Sequence, residues 1–125
     1  MPHCILEYSN NIVDQPDFRE LLLEVHELLV STEQFELTDI KSRVLCHDMF
    51  VIGDGASDRA FVTMNVCMLG GRDDSVKTTI SKGVLQLLER HFPRTFAEKR
   101  CSITARITDM HRDSYGKMDS FEAYP

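Results

Sequence analysis

Two amphipathic helical segments, each flanked by alternating segments, constrain the fold of this chain more than any other feature of its sequence. Apolar residues recur with the period of a helix in one segment that begins within 14–17 and in another that spans about 74–91. Alternation of apolar and polar residues predicts strands at 2–8, 40–52, 60–69 and about 101–109. The predicted order is therefore β-α-β followed by a second β-α-β.

The two predicted helices begin and end at residues that are typical of helix termini. Asp14 or Asp17 can cap the first helix, and Asp73 or Asp74 can cap the second. Pro93 should end the second helix, because proline cannot continue the hydrogen-bond ladder. The buried stripes are predicted to be Phe18, Leu21, Leu22, Val25, Leu28 and Leu29 in the first helix, and Val76, Ile80, Val84, Leu87 and Leu88 in the second.

This order predicts an α+β fold, a four-stranded mixed sheet with two helices on one face. Each half supplies a parallel pair of strands joined by a right-handed crossover helix. Strands two and three should run antiparallel, because only a short connection joins them. We expect one domain over residues 1–125, with two pseudo-repeats at about 1–58 and 59–110 and a polar tail at 111–125.

The predicted architecture leaves the second face of the sheet without a covering layer. A sheet with an uncovered apolar face normally finds a partner, so we expect an oligomer, although the pattern does not fix its order. The tail retains Tyr115, Phe121 and Tyr124, which we expect to pack on a neighbouring subunit.

Charge and hydropathy argue against several classes of function. The formal net charge is -6 and the pI about 5.3, whereas non-specific binding of nucleic acid needs a basic surface. No apolar run approaches the length of about 20 residues that spans a bilayer, and the N-terminus lacks the pattern of a signal peptide. We therefore expect a cytoplasmic protein that binds neither nucleic acid nor membrane.

The cysteines and histidines form no recognisable metal-binding or disulfide pattern. Cys4, Cys46, Cys67 and Cys101 contain no C-x-x-C pair, and all lie in predicted strands, where we expect buried free thiols. We predict no metal site, because the histidines are scattered along the chain. They are His3, His26, His47, His91 and His111.

A proline directly after the initiator methionine is the first feature that points to chemistry. A small second residue normally lets an aminopeptidase remove Met1, which would leave Pro2 with a free secondary amine. A terminal amine titrates at about 7.7–8.0, and burial among cations lowers its pKa, so it can act as a general base near neutral pH. Alternatively, Pro2 only begins an edge strand, where its missing N–H costs nothing.

Three cationic residues lie near strand ends or turns of the predicted sheet. Lys41 begins a strand that should run parallel to the first, so it is expected near Pro2, and Arg43 leaves the same strand face. Arg72 stands at the turn before the second helix. A neutral amine flanked by such groups can bind a dicarboxylate and move a proton along it. For each cation taken alone, a solvated surface charge is the better interpretation.

Several segments, taken in order, match the pattern of one known family. The opening segment 1–12 reads MPHCILEYSNNI, and residues 40–44 read IKSRV where the family carries IRSRV. DG at 54–55 and DRAFV at 58–62 are similar to its DG and DYAFV, and GR at 71–72 matches its GR before the second helix. Over nearly its whole length the chain thus resembles the 5-carboxymethyl-2-hydroxymuconate isomerases of the tautomerase superfamily.

A second resemblance supports the division into two units. Residues 71–74 read GRDD and resemble the strand–turn–helix junction of the shorter 4-oxalocrotonate tautomerases, which consist of a single β-α-β unit. The chain is therefore interpreted as two fused β-α-β units.

The family resemblance implies a homotrimer and a cofactor-free keto–enol isomerase of aromatic-acid breakdown, with a small-molecule dicarboxylate as substrate. Pro2 would act as general base and then as general acid on an unsaturated 2-hydroxy or 2-oxo acid. Arg72 and Lys41 would bind carboxylate or carbonyl oxygens and stabilise the negative charge that develops. Arg43, on the same strand face as Lys41, is a further candidate for substrate binding.

One departure from the family pattern and two alternative functions remain at this stage. Lys41 stands where the family carries arginine, so a bidentate contact would become monodentate. A hydratase or dehalogenase on the same scaffold would need an added carboxylate to activate water, for which Glu7 and Asp48 are candidates. A non-catalytic oligomeric binding protein would be favoured if Met1 were retained.

Overall fold

The computed structural model describes residues 1–121, and Tyr124 lies outside them. Within this range the strands are β1 (His3–Ser9), β2 (Lys41–His47), β3 (Arg59–Leu69) and β4 (Arg100–Met110). The helices are α1 (Phe18–Ser31), α2 (Asp74–His91) and α3 (Pro93–Glu98), with short 3₁₀ turns at Leu37–Asp39 and Arg112–Ser114. None of the helices in residues 1–121 combines the length and hydropathy that a bilayer-spanning segment requires.

The strands form one mixed sheet in the order β2-β1-β3-β4. β1 pairs in parallel with β2, β3 pairs in parallel with β4, and β1 and β3 are joined antiparallel. The fold is therefore the predicted α+β arrangement, in which each half supplies a parallel pair. β2 and β3 run in opposite directions, as the sequence predicted, but β1 lies between them.

The core lies between one face of the sheet and the helices α1 and α2. Alternate residues of β3, from Ala60 to Met68, point into it and are almost fully buried. The helices contribute the predicted stripes, because a helix buries the residues that its 3.6-residue period places on one face. The fully or almost fully buried helical residues are Leu21, Val25 and Leu29 of α1 and Ile80, Val84, Leu87 and Leu88 of α2.

The opposite face of the sheet is only partly covered by the described residues. Phe61, Thr63 and Asn65 of β3 are half-buried there. The loop after β2 adds exposed apolar side chains, since Met49 is 86% and Val51 78% accessible to solvent. This face is the surface from which the sequence predicts assembly.

Two elements differ from the sequence-based prediction. β2 ends at His47 rather than near Ile52, because residues 48–58 leave the sheet in a loop with Gly53 and Gly55 at φ of +57° and +83°. A third helix, α3, follows α2 directly. Pro93 ends α2 as predicted, but its fixed φ also suits the first turn of a new helix.

The two aspartates proposed as caps of the first helix cap different helices. The side chain of Asp17 caps α1 by accepting a hydrogen bond from the N–H of Glu20 at 3.1 Å. Asp14 instead accepts from the N–H groups of Arg94 and Thr95 at 3.2 and 2.7 Å, and from the Thr95 hydroxyl at 2.7 Å. Asp14 therefore caps α3 and ties the segment before α1 to it.

The cysteines lie in the four strands, as predicted, but burial was predicted correctly only for Cys4. Cys46 is exposed, because it stands on the edge strand β2, and Cys67 and Cys101 are half-buried. All four thiols are free. Burial raises the pKa of Cys4 to about 12, which keeps this thiol protonated and unreactive.

Candidate active site

The strand directions bring the chain terminus and several other segments to one end of the sheet. Because β1 and β2 are parallel, His3 pairs with Lys41 where both strands begin. Because β1 and β3 are antiparallel, His3 also pairs with Cys67 near the end of β3, which leads to Arg72. β4 runs parallel to β3 and ends beside it, so the C-terminal segment 111–121 starts at the same end.

Backbone hydrogen bonds hold the N-terminal residues at this end of the sheet. Pro2 is buried, and its carbonyl accepts a hydrogen bond from the N–H of Lys41 at 3.1 Å. The terminal amine, which belongs to Met1 here, donates to the carbonyl of Asp39 at 3.2 Å. Removal of Met1 would place the terminal amine on the nitrogen of Pro2, one residue further along the chain.

The surroundings of the terminal amine disfavour its protonated form. Burial lowers the pKa of this amine below its ordinary value of 8.0. The charges of Lys41 and Lys117, and to a smaller extent Arg72, lower the pKa further, whereas Asp39 opposes them. Desolvation and neighbouring cations both destabilise a positive charge, so more of the amine is neutral and able to accept a proton at neutral pH.

The ammonium group of Lys41 lies beside the terminus. Its Nζ donates to the carbonyl of Asp39 at 3.0 Å, and the same oxygen accepts from the terminal amine. The ring of Phe121 lies against this ammonium group, with 5.2 Å between Nζ and the ring centroid. Lys41 is thus placed near the terminus, as its strand position predicted, and its catalytic role stays a prediction.

Arg72 is fixed in a half-buried position after the turn that ends β3. Gly71 in this turn has a φ of +109°, which other residues rarely adopt. The guanidinium donates from Nη1 to the carbonyl of Leu69 at 2.8 Å and from Nη2 to that of Gln34 at 3.2 Å, and it lies 4.3 Å from the ring centroid of Phe35. Its Nε is buried and has no hydrogen-bond partner among the described residues.

Arg43 contacts a different group. Its side chain is exposed, and its Nη1 lies 3.1 Å from Nδ1 of His3. Burial lowers the pKa of His3, and the charge of Arg43 lowers it further, so the ring is neutral and can accept this hydrogen bond. The predicted role of Arg43 in substrate binding stays a prediction.

A cavity of about 250 Å³ joins Arg72 to the chain terminus. Three cations, Arg72, Arg112 and Lys117, line it together with the carboxylates of Glu36 and Asp39. Its other walls are formed by Met1, Gln34, Phe35, Leu69 and Tyr115. A cavity with a terminal amine of lowered pKa, two guanidinium groups and an ammonium group can bind an organic anion and take a proton from it. We call it the arginine cavity.

Among the cavity residues that sequence reasoning missed are those that the tail supplies, namely Arg112, Tyr115 and Lys117. They belong to the polar tail, where no periodicity distinguishes them from solvated side chains. The only available signal was the strand order, which places the end of β4 beside the end of β3. That order has to be known before the tail can be assigned to this end of the sheet.

The carboxylates considered for water activation lie elsewhere. Glu7 follows Pro2 by five positions along β1, which corresponds to about 17 Å. It pairs with Nε2 of His47 at 2.9 Å, and Asp48 follows His47 in an exposed position. The geometry therefore gives no support to a hydratase or dehalogenase that uses either residue.

Replacing Lys41 with alanine should raise the pKa of the terminal amine, because a cation that disfavours the protonated form is removed. The amine would then be neutral only at higher pH. The pH dependence of acetylation of the terminal amine by acetic anhydride, followed by mass spectrometry of the N-terminal peptide, measures the shift.

Lys82→Ala is the matched control, since Lys82 is an exposed lysine of α2. It should leave the midpoint of acetylation where it is in the wild type. A midpoint that stays constant or moves to lower pH in Lys41→Ala would contradict the assigned surroundings of the amine.

One family model matches almost the whole chain. Its description is 5-carboxymethyl-2-hydroxymuconate isomerase, and the match covers residues 2–123. A relative from Escherichia coli, the 5-carboxymethyl-2-hydroxymuconate Delta-isomerase, is 30% identical over 111 residues. This similarity covers 89% of the present chain and 88% of the relative.

Solved structures share the fold over nearly the full length. A 5-carboxymethyl-2-hydroxymuconate isomerase from Deinococcus radiodurans R1 is 25% identical with a TM-score of 0.89, over 98% of this chain and 92% of that one. A fused 4-OT in its wild-type symmetric trimer is 15% identical with a TM-score of 0.70, over 98% and 99% of the two chains. The second likeness concerns the fold alone.

Proposed function

The chain belongs to the 5-carboxymethyl-2-hydroxymuconate isomerase family of the tautomerase superfamily and is an isomerase, and we propose that Pro2 is its catalytic base. The proposed substrate is an unsaturated 2-hydroxy or 2-oxo acid with two or more carboxylates, such as 5-carboxymethyl-2-hydroxymuconate. The proposed reaction moves one proton and needs no cofactor.

One observation carries the proposal: the chain terminus and a cationic side chain meet at one cavity. Met1 and Arg72 both line the arginine cavity. The amine at the terminus has a lowered pKa, because of burial and then because of Lys41 and Lys117. A base and an oxyanion-binding group on one cavity are the two components that a keto–enol isomerase requires.

In the proposed reaction the neutral nitrogen of Pro2 accepts a proton from the 2-hydroxyl or from a carbon of the substrate. The electron pair of the broken O–H or C–H bond spreads along the conjugated chain as a dienolate. The protonated nitrogen then returns its proton to a distant carbon of the same chain, which regenerates the base. Protons and electrons balance within the two steps.

The cations would stabilise the charge on the dienolate. The guanidinium of Arg72 is held by two backbone carbonyls, so its orientation toward the substrate would cost little at the moment of reaction. Lys41 would act as a point charge, since an ammonium group cannot form the two parallel hydrogen bonds of the family's arginine. The lysine at position 41 should therefore change the substrate preference or the rate of the reaction, whereas the proposed base remains Pro2.

The catalytic amine requires that Met1 be removed. The family model matches residues 2–123, a range that includes Pro2. Mass spectrometry of the native protein decides the point directly. A protein that retains Met1 would carry Pro2 as an amide, which cannot accept a proton.

Pro2→Ala should lower kcat/KM by about 10²- to 10⁴-fold, the range expected when a positioned general base is impaired. Alanine is also small, so Met1 should still be removed, but the new amine is primary and more mobile. Activity is followed by the ultraviolet absorbance of muconate-type dicarboxylates, and circular dichroism verifies the fold. Wild-type activity in a folded Pro2→Ala protein would refute the role of Pro2.

Arg72 and Lys41 should differ in the effect of their removal. Lys41→Ala should lower kcat/KM by roughly 10- to 150-fold, as expected for the loss of a charge-assisted hydrogen bond. Lys41→Arg should retain or raise activity, because the fork geometry is restored. If Lys41→Ala changes kcat/KM by less than about twofold while Arg72→Ala abolishes activity, Lys41 is not part of the site.

We also propose that the protein is a homotrimer. The sheet face opposite the helices is only partly covered by the described residues, and it carries the half-buried Phe61 and Thr63. The fused 4-OT with the same fold is described as a symmetric trimer, which supports the same assembly here. The tail packing expected on a neighbouring subunit stays a prediction.

Sedimentation should show a compact particle of three 14.3 kDa chains. Thr63→Glu places a charge in the middle of the uncovered face and should shift the protein toward monomers. Thr79→Glu, on the exposed side of α2, is the matched control and should leave the trimer intact. A wild-type protein that sediments as a monomer at micromolar concentration would contradict the proposed assembly.

A further inference from the structure

Lys117 of the C-terminal segment stands where two cavities meet. It lines the arginine cavity of about 250 Å³. It also lines a second cavity of about 530 Å³, whose walls include Asp119 and Phe121. Glu36 and Asp39 line both cavities as well. The tail thus places an ammonium group beside the chain terminus, although the rest of the tail is polar surface.

The ammonium group of Lys117 is positioned by two carboxylates and can still donate. Its Nζ lies 3.0 Å from Oδ1 of Asp39 and 3.1 Å from Oδ2 of Asp119. An ammonium group has three N–H donors, so one is available after these two contacts. The side chain is 34% accessible, and ion pairs at such exposure contribute little, so a ligand carboxylate can add to them or replace one.

The arginine cavity therefore takes cations from two segments of the chain. Arg72 comes from the turn after β3, and Arg112 and Lys117 come from the tail. Nε of Arg112 already donates to the carbonyl of Gly70 at 2.6 Å, whereas Lys117 keeps a free donor. Asp39 already pairs with Lys117, and Glu36 is the other carboxylate on the cavity wall. Two cationic contacts in one small cavity suit an organic anion with a carboxylate at each end.

We propose that Lys117 binds the second carboxylate of the substrate and so selects dicarboxylates over monocarboxylates. The ligand class rests on the proposed function, whereas the contact itself depends only on the cavity. Lys117 is a binding and specificity-determining residue in this proposal, and proton transfer is left to the terminal amine.

Two dienoic acids that differ by one carboxylate test the proposal. Muconate (hexa-2,4-dienedioate) has a carboxylate at each end, whereas sorbate (hexa-2,4-dienoate) has a methyl group at one end. Calorimetric titration of the purified protein should show tighter binding of muconate than of sorbate. Lys117→Met should weaken muconate binding by about 10- to 150-fold, the effect of losing one charge-assisted hydrogen bond, and should leave sorbate binding unchanged.

Three further variants separate ligand binding from fastening of the tail. Lys117→Arg keeps the charge and should keep the preference for muconate. Lys82→Met removes an exposed lysine of α2 and should have no effect. Asp119→Asn removes one ion-pair partner but leaves the ammonium group, so muconate affinity should be retained or increased.

The proposal is overturned if wild-type protein binds muconate no better than sorbate, or if Lys117→Met leaves muconate affinity unchanged. It is also overturned if Lys117→Met weakens both ligands equally, or if Asp119→Asn reproduces its effect, because Lys117 would then only fasten the tail. A different result would refute the isomerase proposal. A protein with a Lys117-dependent preference for muconate but no isomerisation would refute the catalytic role and leave the carboxylate contact established.

Discussion

The pairing of β1 with a parallel strand on one side and an antiparallel strand on the other determines where the site can form. The parallel partner β2 begins beside the chain terminus, and the antiparallel partner β3 ends there. β4 is parallel to β3, so it delivers the tail to the same end. Lys41, Arg72 and Lys117 are far apart in sequence, yet they surround the terminus because of these three strand directions.

The electrostatics of the site follow from that convergence. The protein as a whole is acidic, with a net charge of -6, but the arginine cavity gathers Arg72, Arg112 and Lys117. Backbone carbonyls accept hydrogen bonds from Arg72 and Arg112, whereas Lys117 pairs with the carboxylates of Asp39 and Asp119. Burial, and then the charges of Lys41, Lys117 and Arg72, lower the pKa of the terminal amine, and the same cations can attract an anionic substrate. One arrangement thus serves both the base and substrate binding.

Much of the fold could be predicted from the sequence, because periodicity reports which face of an element is buried. Both long helices, the presence of all four strands and the positions of Lys41 and Arg72 near the terminus or a turn were predicted correctly, whereas β2 is shorter than predicted. α3 was missed because Pro93 was interpreted only as a stop signal. Lys117 was missed because its contact with Asp39 joins positions 78 residues apart in the sequence, which no local pattern reports. The role of Arg43 and the boundaries of the two pseudo-repeats stay predictions.

The proposed chemistry requires the nitrogen of Pro2 to be a neutral base at working pH. Titration of this nitrogen by ¹⁵N NMR in the protein that lacks Met1 measures its protonation. We expect a pKa below the ordinary value of 8.0 for a terminal amine, and a rising limb of kcat/KM with the same midpoint. A pKa at or above that value, or a rate profile that rises with a different midpoint, would contradict it.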